Sequence, residues 1–206
     1  MTGADIVKQT QLAFDFIQKL YLEVSYLIKE VEGLLAEEPE KFIIGRSGGY
    51  SITARSSTGL ETNNVYLWPL RKLSVFFVPE DYTDLKGGQT ITRFVNDLRV
   101  IYLRVILNDK DLTEPLIYSG VLFEFIRKDP KGKWPVKFEQ LMGHFEYNES
   151  KVFQGINPLE YEDSNIKFTG KLSATPLFAI TNSQQIADRI IAPSLEIFRS
   201  PPIKPK

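Results

Sequence analysis

Apolar residues near the start of the chain fall in an alternating four-three spacing: Ala13, Ile17, Leu20, Val24, Leu27, Val31 and Leu34. That spacing places them all on one stripe of an α-helix. A second row, Phe14, Tyr21, Ile28 and Leu35, runs beside it at seven-residue steps and widens the stripe. Asp15, Gln18, Lys19, Glu23, Lys29, Glu30 and Glu32 occupy the other side. The pattern predicts one long helix from about Ala4 to Ala36. Glu37, Glu38 and Pro39 end it, because proline cannot continue the hydrogen-bond ladder. The stripe is wider than a coiled-coil seam, so the helix is expected to cover a sheet in its own chain rather than form a dimeric coiled coil.

After Pro39 the period switches to two. Lys41–Ile44, Tyr50–Ser56, Val65–Trp68 and Leu73–Val78 read as strands, with turn-rich segments between them. Leu98–Leu107 and Leu116–Lys128 are nearly apolar throughout and fit central strands covered on both faces. Asn108–Pro115 reads as the hairpin connection that pairs these two strands antiparallel. Trp134–Gly155 fits a short amphipathic helix with Pro135 near its start. Ile166–Thr175 alternates, with Ile166, Phe168, Gly170, Leu172 and Ala174 on one face and Lys167, Thr169, Lys171, Ser173 and Thr175 on the other. Asn182 or Ser183 is placed to cap a last helix through about Phe198, which Pro193 should kink. The fold class that follows is α+β. It consists of one mostly antiparallel sheet of about five to seven strands, covered by the long N-terminal helix and a C-terminal helix. Residues 1–199 are expected to form a single domain, and Ser200–Lys206 a flexible proline-rich tail.

Composition adds mainly exclusions. At 206 residues and 43% hydrophobic, the chain can bury a sizeable core without a disulfide or metal staple. Its 25 basic and 26 acidic residues nearly cancel, so net charge gives no indication of nucleic acid, although a local patch remains open. There is no cysteine, which removes disulfides, thiolate nucleophiles, cysteine-based zinc sites and iron–sulfur clusters, and which suits a cytoplasmic setting. Met1–Thr10 has neither an apolar nor a basic leader region, and no apolar run is long enough for a transmembrane helix. No membrane role and no cofactor is expected.

The candidate chemistry is sparse. Arg46, Ser47, Gly48 and Gly49 form a glycine-rich turn whose backbone N–H groups would converge on an anion. The GxGxxG and P-loop patterns are both absent, and a hairpin turn between two strands is the ordinary explanation of the glycines. Arg55, Lys167 and Lys171 lie on strand faces that carry hydroxyls and bases but no acids, a chemistry suited to phosphate. His144 is the single histidine. Its near-neutral pKa makes it a catalytic candidate, yet neither a zinc-ligand set nor a nucleophile elbow accompanies it. Asp109, Asp111 and Glu124 are the candidate metal ligands, and Glu124 doubles as a candidate catalytic acid. The Glu-x-Lys spacing of a metal nuclease is missing, and Arg104 on the adjacent strand would pair with Glu124 in a purely structural role.

Three functions fit these residues. The favoured one is a non-enzymatic cytoplasmic binding or assembly protein, dimeric, acting on a protein or nucleic-acid partner. It rests on the absence of catalytic motifs and on a helix long enough to bridge subunits. The second is a metal-dependent phosphodiesterase or nuclease-like hydrolase using Asp109, Asp111 and Glu124. The third is a small-ligand carrier whose pocket lies between sheet and helix, lined by Tyr21, Tyr102, Tyr118 and Phe123.

Overall fold

A computed structural model describes residues 2–44, 72–82, 98–108, 112–128, 157–164 and 166–200. The expected strands at 50–56 and 65–68 and the expected helix within 134–155 lie outside the described residues. Helix α1 spans Gly3–Ala36. The strands are β1 (Phe42–Ile44), β2 (Lys72–Pro79), β3 (Val100–Ile106), β4 (Leu116–Arg127), β5 (Leu159–Glu162) and β6 (Ile166–Pro176). They form one antiparallel sheet in the order β1-β2-β3-β4-β6-β5. Helix α2 (Ser183–Ile186) runs through a π-helical turn, Ala187–Ile191, into α3 (Ala192–Arg199). The architecture is therefore α+β, one antiparallel sheet with a long N-terminal and a C-terminal helix.

Every residue of β3 is buried, as its unbroken apolar sequence requires. Ile101, Leu103 and Val105 point to the helices. Val100, Tyr102 and Ile106 point to the opposite face, where Phe76, Leu122 and Phe168 share a second core. The period-two pleat makes this division. Arg104 falls on the same side as Tyr102 and donates to its hydroxyl at 3.2 Å. Ser74 on β2 lies 3.1 Å from the same hydroxyl. Gly120 on β4 has φ +157°, and a Cβ there would meet the Lys171 carbonyl oxygen at 2.0 Å. The close approach of β4 to β6 thus depends on glycine at this point.

Strand β6 keeps its expected phase from Ile166 to Leu172, but Ala174 is exposed and Thr175 is buried. Thr175 stands opposite Ile117, a member of the helix-side core. The face that carries Lys167 and Lys171 is thus open at one end and roofed at the other. Strand β5 is an addition to the sequence reading. Its four residues alternate buried and exposed against β6. Asn157 extends that pairing, because its side-chain amide donates to the Leu172 carbonyl at 2.7 Å and accepts from the Leu172 N–H at 3.0 Å.

The C-terminal helix starts where its sequence indicates, with the Asn182 side chain accepting from the Gln185 N–H. The π-helical turn stands directly ahead of Pro193, whose ring has no N–H to give the preceding turn. Two arginines hold its far end. Arg99, just before β3, donates to the carbonyls of Ile197, Phe198 and Ser200. A cation there satisfies terminal carbonyls and opposes the negative end of the helix dipole. Arg199 reaches back to the turn after α1, with Nε 2.8 Å from Glu40 Oε1 and Nη2 2.7 Å from both Glu40 Oε2 and Glu38 Oε2.

Arg199 holds the Glu40 carboxyl below the usual carboxylate range, first by its hydrogen bonds and then by its charge. A carboxyl that titrates lower folded than unfolded stabilises the fold above its unfolded pKa. That contribution is lost as pH falls through the lowered value. Arg199→Gln should therefore destabilise the protein at pH 7, by up to about 1 kcal/mol because the cluster is partly exposed. Below about pH 5 the difference between variant and parent should shrink. Urea unfolding midpoints of both proteins at pH 7 and in acid check this.

Candidate functional site

Helix α1 opens on Thr2, whose hydroxyl accepts from the Asp5 N–H at 3.3 Å while the Asp5 carboxylate accepts from the Thr2 N–H at 2.8 Å. This capping box satisfies two backbone donors reciprocally and fixes the helix start. The Thr2 backbone hydrogen bond, followed by its hydroxyl, holds the Asp5 carboxyl below its ordinary range. From that cap the helix runs 34 residues, which at 1.5 Å per residue is about 51 Å.

The sheet does not cover that length. Buried residues of α1 begin at Tyr21 and continue through Val24, Ser25, Leu27, Ile28, Val31 and Leu35. Residues 2–19 are all exposed. The expectation that the whole stripe packs on a sheet is thus corrected at Ala13, Phe14 and Ile17, which lie beyond the core. The second half of α1 packs beside β1 and the C-terminal helix, and residues 2–19 run past both.

The overhang is not a solvated helix. Ile6, Val7, Leu12, Phe14, Phe16 and Ile17 are each 40% to 64% exposed. Ile6, Phe14 and Ile17 continue the face that Val24, Ile28 and Val31 bury. Phe16 and Leu12 lie roughly 100° and 140° round the helix from Ile17, so the apolar arc covers more than half the circumference. Lys8, Asp15 and Lys19 share the remaining side. The bare apolar area is on the order of 600 Å², the upper end of what a monomeric soluble protein leaves uncovered. The stripe reading passes over Leu12 and Phe16 because neither keeps its four-three register. The density of large apolar residues between Ile6 and Ile17, more than one face needs, is the sequence signal that marks them.

Beside the point where α1 meets the core runs a mixed groove of about 470 Å³, which also takes in Thr181, Asn182 and Ser183. Leu20, Val24 and Leu27 form one wall; Leu177, Ile180 and Ile186 form the other. Tyr26 and Phe178 stand at its rim, 54% and 60% exposed. Glu23 and Glu30 add negative charge along the α1 side.

The remaining candidates do not assemble into a second site among the described residues. Arg46, Ser47, Gly48, Gly49, Arg55, Asp109, Asp111 and His144 lie outside them. Lys167 and Lys171 are exposed on β6. Lys167 stands opposite Glu162 of β5, 3.8 Å away, and Lys128 donates to the same carboxylate. Those bases, Lys128 first, hold the Glu162 carboxyl below its usual range, so the face is not purely basic. Glu124 is exposed with φ +56°, at a register shift between Phe123 and Ile126, and accepts from the Thr169 hydroxyl at 2.8 Å. Arg104 is buried opposite Tyr118, so the expected Glu124–Arg104 pair is replaced by Glu124–Thr169. No group of three or more His, Cys, Asp or Glu side chains gathers at metal-binding range among the described residues. Of the residues expected to line one ligand pocket, Tyr21 belongs to the helix-side core, whereas Tyr102 and Tyr118 belong to the opposite one, with the sheet between them. No described helix is long and apolar enough to cross a membrane. Comparison with protein families, curated proteins and solved structures gives no match.

The two halves of α1 should respond oppositely to substitution. Ile28→Ala removes a fully buried side chain and should cost about 2–5 kcal/mol. Phe14→Gln and Phe16→Gln, in dilute solution, should each change stability by less than about 0.5 kcal/mol. Chemical denaturation of the three variants separates these outcomes.

Proposed function

We propose that the protein is a non-enzymatic binding and assembly protein, with the first half of α1 as its docking element. One observation carries this reading: Ile6, Val7, Leu12, Phe14, Phe16 and Ile17 are exposed on a capped helix whose other half is locked into the core. Apolar surface of this extent is hydrated at a cost of roughly 25 cal/mol per Å², and burial against another surface recovers it. Anchoring also matters. An isolated helix of this length is marginal in water, but here the docked half propagates helical structure into the overhang. The binding surface is therefore preorganised, which lowers the entropy lost on association. In this reading the protein works in the cytoplasm, which a cysteine-free chain suits.

The test is the size of the native particle. In a gentle extract of its own host the wild-type chain should elute well above its 23.6 kDa monomer mass. A variant with Leu12, Phe14, Phe16 and Ile17 all changed to Gln should elute at the monomer mass with an unchanged far-ultraviolet dichroism spectrum. Elution of the wild-type chain as a monomer in that extract would overturn the reading.

A further inference from the structure

We infer that the groove between α1 and the segment Leu177–Ile186 is a binding site for a small organic cation with an apolar body, an alkyl or aromatic amine. Three observations set that chemistry. The first is the sign of the charge. Glu23 and Glu30 line the groove, and among the described residues no base does. Lys29, next to Glu30 in the chain, is engaged by Glu32 at 3.2 Å. Lys19, one turn before Glu23, forms no ion pair with it. The polar end of the groove does not offset the two carboxylates. There the Asn182 side-chain oxygen accepts from the Gln185 N–H at 3.0 Å, and the Thr181 hydroxyl donates to the Gln185 side chain at 3.0 Å. An anion entering the groove would meet like charge, whereas a cation would meet its complement.

The second observation is the order of groups along α1. Glu23, Tyr26 and Glu30 stand at i, i+3 and i+7, on one side of the helix. The two carboxylates are therefore about 10 Å apart along the axis, with Tyr26 between them. Phe178 stands at the rim on the opposite wall, and both rings are exposed. An ammonium group is attracted to a carboxylate and to the face of an aromatic ring alike. This ridge offers the two one turn apart.

The third observation is the floor and its size. Val24, Leu27, Leu177 and Ile186 are buried, so what lies beneath the charged rim is apolar. An alkyl or aryl body laid there leaves water as its ammonium reaches the rim. The volume, about 470 Å³, falls in the small-ligand range of roughly 300–1,000 Å³. The groove spans Leu20 to Glu30, about 15 Å along α1. A helix about 10 Å across would fill on the order of 1,200 Å³ over that length, so the cavity suits a small ligand and not a docked helix.

Octylammonium chloride is the probe. Titrated into the isotope-labelled full chain, it should shift the backbone amide resonances of residues 20–30 and 177–186, with a Kd on the order of 1 mM or below. Octanoate, which has an eight-carbon chain and the opposite head charge, should bind at least tenfold more weakly. Glu23→Gln with Glu30→Gln should lower the affinity for octylammonium at least fivefold while the amide spectrum keeps the dispersion of a folded protein. Tyr26→Ala should weaken it in the same direction, and Phe14→Gln, outside the groove, should leave it unchanged. Equal affinity for the two heads, or a preference for octanoate, would overturn the inference. Shifts confined to residues 3–19 would overturn it as well, because the alkyl chain would then be coating the exposed half of α1. So would the absence of any shift at about 10 mM octylammonium.

Discussion

Burial of Val24, Ile28, Val31 and Leu35 against the sheet is the contact on which the rest of this structure depends. Each is at most 1% exposed. Full burial of such side chains contributes roughly 1.5–3 kcal/mol apiece. Together they anchor one half of α1, from which the exposed half extends. Without that anchor, a segment holding Leu12, Phe14 and Phe16 in water would have little reason to remain a presented helix. The exposed half is therefore a consequence of the buried half, and the two cannot be assigned separate origins.

The C-terminal segment completes the anchor. Leu177, Ile186, Ile190 and Leu195 belong to the same core as the buried side of α1. Arg99 closes the last turn of α3, and Arg199 ties that turn to Glu38 and Glu40 just past the end of α1. Phe198 packs edge-on against Phe42 with ring centroids 4.9 Å apart. These contacts hold α2 beside α1 and so form the groove, whose opposite wall comes from Leu177 to Ile186. Charge plays its part at the chain's ends and turns. The sheet and the helix stripe rest on apolar packing.

Much of the fold is legible in local pattern. The extent of α1, the buried strands β3 and β4, the alternation of β6 and the Asn182 cap all follow from periodicity and turn chemistry. What local pattern does not carry is the length of the surface a helix packs on. Ile17 and Val24 share one stripe, yet Ile17 is 40% exposed and Val24 1%, a difference that periodicity does not carry. The same holds for Tyr21 and Tyr102. Each reads as an apolar-face aromatic, but the pleat and strand order put them on opposite sides of the sheet. Glu124 shows a further case: Arg104 stands opposite Tyr118, six residues back along β4, and Glu124 meets Thr169 at the register shift instead. The exposed half of α1 is thus half legible: its stripe is visible in sequence, while Leu12 and Phe16 stand out only once the exposure of that half is known.

The proposal that the exposed half of α1 is a docking element is most directly tested by hydrogen exchange along the helix at two protein concentrations. At high dilution, backbone amides of residues 21–35 should exchange slowly and those of residues 6–19 fast. At high concentration the second group should become protected while the first is unchanged. Slow exchange along the whole helix at every dilution would contradict the account, because residues 6–19 would then be covered within their own chain.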